Sequence, residues 1–197
     1  MQNTVQSLIL THKYSNFPDI SNYVELKYLM CCYNNFALLD NLTQPLEILI
    51  CTYNIIKLLN KLPPTLKELH CSYNQLTELD NLPPELEVLD CSHNKITSLD
   101  NLPPKLKVLR CTNNNISCLD NLPPTLTDLH CNHNYIVVLN NLPIALVELF
   151  CNSNLLTTLD MLPESLKFLY CNKNPFTYDF APTLENIRQY NIMHAKK

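Results

Sequence analysis

Apolar and polar positions recur along this chain with a period of 20 residues. The unit is complete in residues 66–85, LKELHCSYNQLTELDNLPPE, which read Leu-x-x-Leu-x-Cys-x-x-Asn-x-Leu-x-x-Leu-Asp-Asn-Leu-Pro-Pro-x. Leu69 and Cys71 alternate with Glu68, His70 and Ser72, the period of a half-buried strand. Asn74 and the proline pair keep that strand short. A lone strand of this length cannot bury its apolar side, but stacked copies can, each touching only its neighbours. Cysteines at 31, 51, 71, 91, 111, 131, 151 and 171 mark the copies, and an asparagine follows three residues after each. Strand centres running from Leu8-Ile9-Leu10 to Leu169-Tyr170-Cys171 predict about nine parallel strands, an arc of about 40 Å at ~4.8 Å per strand.

The return path is too short for a full helix. Pro83-Pro84, Pro103-Pro104 and Pro123-Pro124 fix φ and donate no hydrogen bond, which predicts an extended, polyproline-like convex side. Leu76, Leu79 and Leu82 of each unit turn inward, and Asp80-Asn81 is expected to form side-chain-to-backbone turn contacts. The pattern weakens at the ends. Residues 1–25 hold one degenerate copy, 26–174 the regular repeats, and 175–197 a cap and tail, within a single domain spanning 1–197. In that tail APTLENIRQYNIM reads as a short helix, with Pro182 near its start and Leu184, Ile187 and Tyr190 on the side that covers the last core layer.

These motifs resemble the leucine-rich repeat family, with cysteine where most members carry a second leucine. The 20-residue unit closed by Leu-Pro-Pro resembles the short bacterial class found in secreted effectors of pathogens. The Cys- and Asn-rich copies are also similar to leucine-rich repeat proteins encoded by giant DNA viruses of amoebae. The resemblance implies a solenoid of short parallel strands and names no activity, since fold does not imply function. Bacterial effectors of this class often carry a ligase domain after the repeats; about twenty residues follow the last full repeat here, so that activity is not expected.

Composition removes several function classes. The chain contains no glycine, so it has neither a Gly-rich phosphate loop nor a dinucleotide fingerprint. A net charge of −4 argues against a nucleic-acid partner. The N-terminus MQNTVQSLILTHK shows no signal-peptide pattern, and no apolar run is long enough to span a membrane. Asn41-Leu42-Thr43 and Asn115-Ile116-Ser117 fit the glycosylation sequon but carry little weight without a secretion signal. A cytoplasmic location follows as an expectation, with the ten cysteines as reduced thiols.

The Cys-x-x-Asn clock could mark a metal site, a redox relay or a structural spine. Zinc needs four converging ligands, commonly from Cys-x-x-Cys pairs, and the chain has none. Each column cysteine sits between leucines, where a free thiol behaves as a small buried hydrophobe. The asparagines are expected to satisfy the backbone groups leaving each strand. Cys32, expected on the exposed strand face, and Cys118, expected on the convex side, are the thiols that should react first with alkylating agents.

Variable positions on and just after the strands are the candidates for function, because the framework does not need them. They are expected to face the concave surface in three zones. The first is apolar and aromatic: Tyr28, Met30, Tyr33, Ile48, Ile50 and Tyr53, with Tyr73 continuing the tyrosine column. The middle is polar and charged: Glu68, His70, Asp90, His93, Arg110, Asp128, His130 and His133. Phe150, Phe168 and Tyr170 form an aromatic third. Clustered apolar groups beside charge point to a protein-binding face. The expected partner is therefore a protein, of the host if the chain is viral, with no nucleic acid, membrane, metal or cofactor. An enzyme dependent on metal or a small molecule, centred on Asp128, His130 and His133, is one alternative, and a purely structural or assembly role is another. Asp90 and Arg110, on neighbouring strands, are expected to form an ion pair, and Lys27, Glu47, Lys67, Glu87 and Lys107 should pair across strands.

Overall fold

The structure is a computed structural model that describes residues 4–12, 14–39 and 42–194. Residues 1–3 of the expected N-terminal cap, Asn41 of one sequon and residues 195–197 of the expected tail lie outside the described residues. Nine three-residue strands follow one another among the described residues: β1 (Ser7–Ile9), β2 (Tyr28–Met30), β3 (Ile48–Ile50), β4 (Glu68–His70), β5 (Val88–Asp90), β6 (Val108–Arg110), β7 (Asp128–His130), β8 (Glu148–Phe150) and β9 (Phe168–Tyr170). They form one parallel sheet in sequence order, in strict register. Leu69 pairs with Leu89, and His70 with Asp90. The helix α1 (Leu184–His194) ends the described chain.

Packing follows from the 20-residue period. The central leucine of each strand from β2 to β8 is fully buried, as is the cysteine just past it. One hydrophobic cluster joins Leu10 to Ile187. Among the described residues the return segments contain no helix. Leu76 and Leu79 are buried as expected, whereas Leu82 is only partly covered. In each Pro-Pro turn the first proline's carbonyl accepts a bond from a leucine N–H, as from Leu86 to Pro83 at 3.1 Å.

The asparagine column explains why the strands can be so short. Asn74 Nδ2 donates to the carbonyls of Cys51 (3.0 Å), Cys71 (3.1 Å) and Ser72 (3.2 Å). Its Oδ1 accepts from the Ile56 N–H of the preceding turn at 3.0 Å. Asn54, Asn114, Asn134 and Asn154 repeat the arrangement. One amide per turn thus satisfies backbone groups that a longer strand would have paired.

The backbone compensates for the missing glycine with left-handed residues. Asn81, Asn101, Asn121, Asn141 and Met161 take φ of 54–57°, so the Asp-Asn pair turns the chain through its backbone. The expected side-chain contacts of Asp80 and Asn81 do not form. Asparagine tolerates this region better than most residues, and that suffices to make the turn.

At the C-terminal end, the Thr183 hydroxyl accepts from the Asn186 N–H at 3.2 Å and caps α1. Arg188 Nη2 donates to the carbonyls of Pro163 (2.9 Å), Glu164 (3.1 Å) and Leu166 (2.9 Å), and Ile187 is fully buried in the core cluster. The helix therefore closes the last turn, as its sequence implied.

Candidate functional site

Each strand places two side chains on the open side of the sheet and one in the core. Positions such as Tyr28 and Met30, or Glu68 and His70, flank the buried leucine and remain half-exposed. These are the residues expected to face the concave surface. Ile50, Asp90, Arg110, Asp128, Phe150, Phe168 and Tyr170 stand at equivalent places in their strands.

A second row lies three residues past each strand and is better ordered than the sequence implied. His12, Tyr33, Tyr53, Tyr73 and His93 all take φ of 53–56° and stack face to face. Successive ring centroids are 5.0, 4.5, 4.2 and 4.0 Å apart, with planes within 14° of parallel. A left-handed tyrosine costs on the order of 1 kcal/mol, and each stacked pair returns about 0.5–1.5 kcal/mol. Stacking therefore explains why tyrosine is tolerated there. Strand periodicity gave no hint of the left-handed kink. The usable signal was composition, since the column mixes Tyr with His and Asn, which are enriched in that region. Hydrogen bonding to Tyr73 holds the Tyr53 phenol above its ordinary range.

The last third carries its own stack. His130, Phe150 and Tyr170 follow at 4.3 and 4.4 Å. Burial, with Arg110 beside it, pushes the His130 imidazole below its ordinary value. Its Nε2 lies 3.8 Å from a Glu148 carboxylate oxygen. Asp90 and Arg110 are register partners, but the expected ion pair does not form, because Asp90 turns to accept from the Ser92 N–H at 3.1 Å. The lysine–glutamate row does pair: Glu47 meets Lys27 at 2.9 Å and Lys67 at 2.8 Å, and Glu87 meets Lys107 at 2.6 Å. Lys67, then Lys27, hold the Glu47 carboxyl down at about 2. These pairs are exposed and support register with little stabilisation.

Asp128, His130 and His133 do not converge. Asp128 accepts from the Thr127 hydroxyl, His130 stacks on Phe150, and His133 belongs to the outer row beyond the strand. Among the described residues no three His, Cys, Asp or Glu side chains are placed to hold a metal ion. The column cysteines are free thiols within the core, and burial raises the pKa of each.

Cys32 corrects one expectation. It is 5% exposed, donating to the Ile50 carbonyl at 3.5 Å and accepting from the Thr52 hydroxyl at 3.1 Å. The chain has already left the strand at Met30, so alternation no longer sends residue 32 outward. Cys118 is exposed, as expected, with Asp120 Oδ2 2.8 Å from its sulfur. An excess of iodoacetamide should therefore add one label to the native protein, at Cys118, and ten after denaturation. Intact-mass spectrometry reads this directly, and rapid labelling at Cys32 would contradict the burial.

The family model for leucine-rich repeats (2 copies) matches residues 64–104 and again 84–124. The fold is that of a leucine-rich repeat solenoid. Among solved structures, YopM, a leucine-rich effector protein from Yersinia pestis, is 32% identical with a TM-score of 0.72, over 80% of this chain and 45% of that one. The functional domain of InlJ from Listeria monocytogenes, which includes a cysteine ladder, is 28% identical with a TM-score of 0.72, over 86% and 44%. A Shigella effector leucine-rich repeat domain is 28% identical with a TM-score of 0.65, over 89% and 78%. The solenoid thus spans less than half of the YopM and InlJ chains it matches. No curated protein matches it. No helix among the described residues is long and apolar enough to cross a membrane.

Proposed function

We propose that this leucine-rich repeat solenoid is a non-enzymatic module that binds a protein partner on its concave face. The carrying observation is the aromatic exposure on and beside the strands: Tyr33 is 50% exposed and Tyr170 48%, both in rows already ordered by stacking, and Phe168 is 50% exposed on the same strand as Tyr170. Rigid aromatic anchors beside charge lose little entropy on binding, which is what an interaction face needs. Met30 and Ile50 supply apolar contact at one end, His70, Asp90, Arg110 and Asp128 give charge specificity in the middle, and Phe150 anchors the other end. The similarity to effector proteins supports the reading. Reduced buried thiols suit a cytoplasmic setting. If the chain is viral, that setting is the host cell and the partner is a host protein.

Affinity capture from host-type lysate tests this, comparing wild type with a Tyr53→Ala, Arg110→Ala, Phe150→Ala variant whose circular dichroism is unchanged. A concave partner should fall by at least about tenfold in the variant, since anchor truncations commonly exceed 1 kcal/mol each. A protein retained equally by both would move the site to the convex face or the caps. A variant still capturing every wild-type partner would defeat the concave reading.

A further inference from the structure

The last third of the sheet face carries a like-charge contact that the chain itself does not balance. Asp128, Glu148 and Phe168 open β7, β8 and β9 and are consecutive register partners. Two carboxylates and a phenyl ring therefore stand in one row, ~4.8 Å apart at the backbone. Like charges directly opposite one another destabilise a sheet. Elsewhere the chain avoids this: Glu47, Glu85 and Glu87 each meet a lysine of a neighbouring turn at 2.6–2.9 Å. Among the described residues no lysine or arginine forms an ion pair with Asp128 or Glu148. Asp128 accepts only from the hydroxyl of its neighbour Thr127. Glu148 faces His130 Nε2 at 3.8 Å, beyond hydrogen-bond reach, on a ring that burial keeps neutral. That nitrogen is itself buried without a hydrogen-bond partner.

The row is also open to an incoming group. The Glu148 side chain is 34% exposed and Phe168 is 50% exposed. Phe150 and Tyr170 stack on one another, whereas Phe168 stacks on no ring among the described residues. A metal ion would find two carboxylates and no third acidic, histidine or cysteine ligand among the described residues. An apolar side chain would cover Phe168 and desolvate the carboxylates without pairing them. A lysine brings a single point charge. A guanidinium brings a planar fork that can bond both carboxylates while its face lies on the ring.

We propose that the concave face receives an arginine side chain of its protein partner at Asp128 and Glu148, with the guanidinium lying against Phe168. This rests on the protein-binding reading and names the chemistry that the partner must carry. Repulsion in the free chain becomes attraction in the complex, which gives the carboxylate pair a reason to stand on a face the framework leaves free.

The peptide N-acetyl-Ala-Arg-Ala-amide, titrated into the full chain and followed by NMR, tests the site. Its arginine δ-CH2 signal should move upfield under the ring current and show a nuclear Overhauser effect to the Phe168 ring. The citrulline peptide has the same shape without the charge and should do neither. Glu148→Gln should weaken the arginine peptide at least about fivefold, and Phe168→Ala should abolish the upfield shift. Glu148→Gln should also keep or raise the melting temperature, because it removes the repulsion. A lower melting temperature would show that this carboxylate already has a partner in the free chain, and would overturn the proposal. Equal shifts from the citrulline or lysine peptide would overturn it too, as would arginine binding unchanged by Glu148→Gln. A lysate protein lost from the Tyr53→Ala, Arg110→Ala, Phe150→Ala variant but fully captured by Asp128→Asn, Glu148→Gln would overturn the arginine contact and leave the concave module standing.

Discussion

Raising the pH from about 8 to about 10 will unfold this protein in one steep transition, because its core is built on a column of thiols. Cys31, Cys51, Cys71, Cys91, Cys111, Cys131, Cys151 and Cys171 all have pKa values raised by burial, Cys171 to about 11 and Cys131 to about 12, from an ordinary value of 9.0. Below pH 9.0 these thiols are neutral in both folded and unfolded chains, and their contribution to stability is fully present. As pH rises past that value the unfolded chain ionises while the folded one cannot, so stability is lost until the folded pKa is reached. Each thiol then forfeits about 1.4 kcal/mol per pH unit. Eight of them forfeit roughly 11 kcal/mol one unit above their ordinary pKa, comparable with the ~5–15 kcal/mol that holds a domain together. Circular dichroism against pH should show a midpoint between about pH 9 and pH 10, with a slope approaching eight protons. Cys91→Val should reduce that slope by about one proton. A chain still folded well above pH 10 would mean that the column ionises in place, contrary to its burial.

The same column shows why the fold was legible from the sequence. Leu69, Cys71, Asn74 and Leu76 each hold a place that one physical demand fixes, and the demand recurs every 20 residues. Repetition averages out local ambiguity, so strand order, direction and register could be read from spacing alone. The helix from Leu184 to His194 was also legible, because it breaks the pattern with ordinary capping chemistry. The surface was less legible. The Asp90–Arg110 pair failed because register places two residues side by side without choosing their rotamers, and a backbone N–H won the carboxylate. Cys32 departs from alternation because the strand ends two residues before it, at Met30. The tyrosine stack was hidden because it depends on a left-handed backbone that no period-two reading contains. What the residues do to a partner was the least legible part, since the framework leaves those positions free.

Asn114→Ala should cost about 3–6 kcal/mol, more than any substitution on the sheet face, because one small side chain serves three backbone groups at once. Its Nδ2 donates to the carbonyls of Cys91 (3.0 Å) and Cys111 (3.1 Å), and its Oδ1 accepts from the Ile96 N–H at 3.0 Å. Asn114 is 6% exposed, so water cannot readily replace it. Each group left unpaired costs ~1–3 kcal/mol. Asn114→Asp separates the two functions. The carboxylate can still accept from Ile96, but it turns an acceptor toward the Cys91 and Cys111 carbonyls and buries a charge, so it should be no better than alanine at neutral pH. Asn115→Ala, one residue on and exposed, should change stability by less than about 0.5 kcal/mol. Urea denaturation of the three variants measures the differences. The bonds of Asn114 tie the turn carrying Cys91 to the turn carrying Cys111, so its loss should also lower amide-exchange protection at Ile96 and in β6 before it does so in β2. Equal loss throughout would mean that the solenoid unfolds only as a whole. A neutral Asn114→Ala would mean that the asparagine column is not what ends the strands.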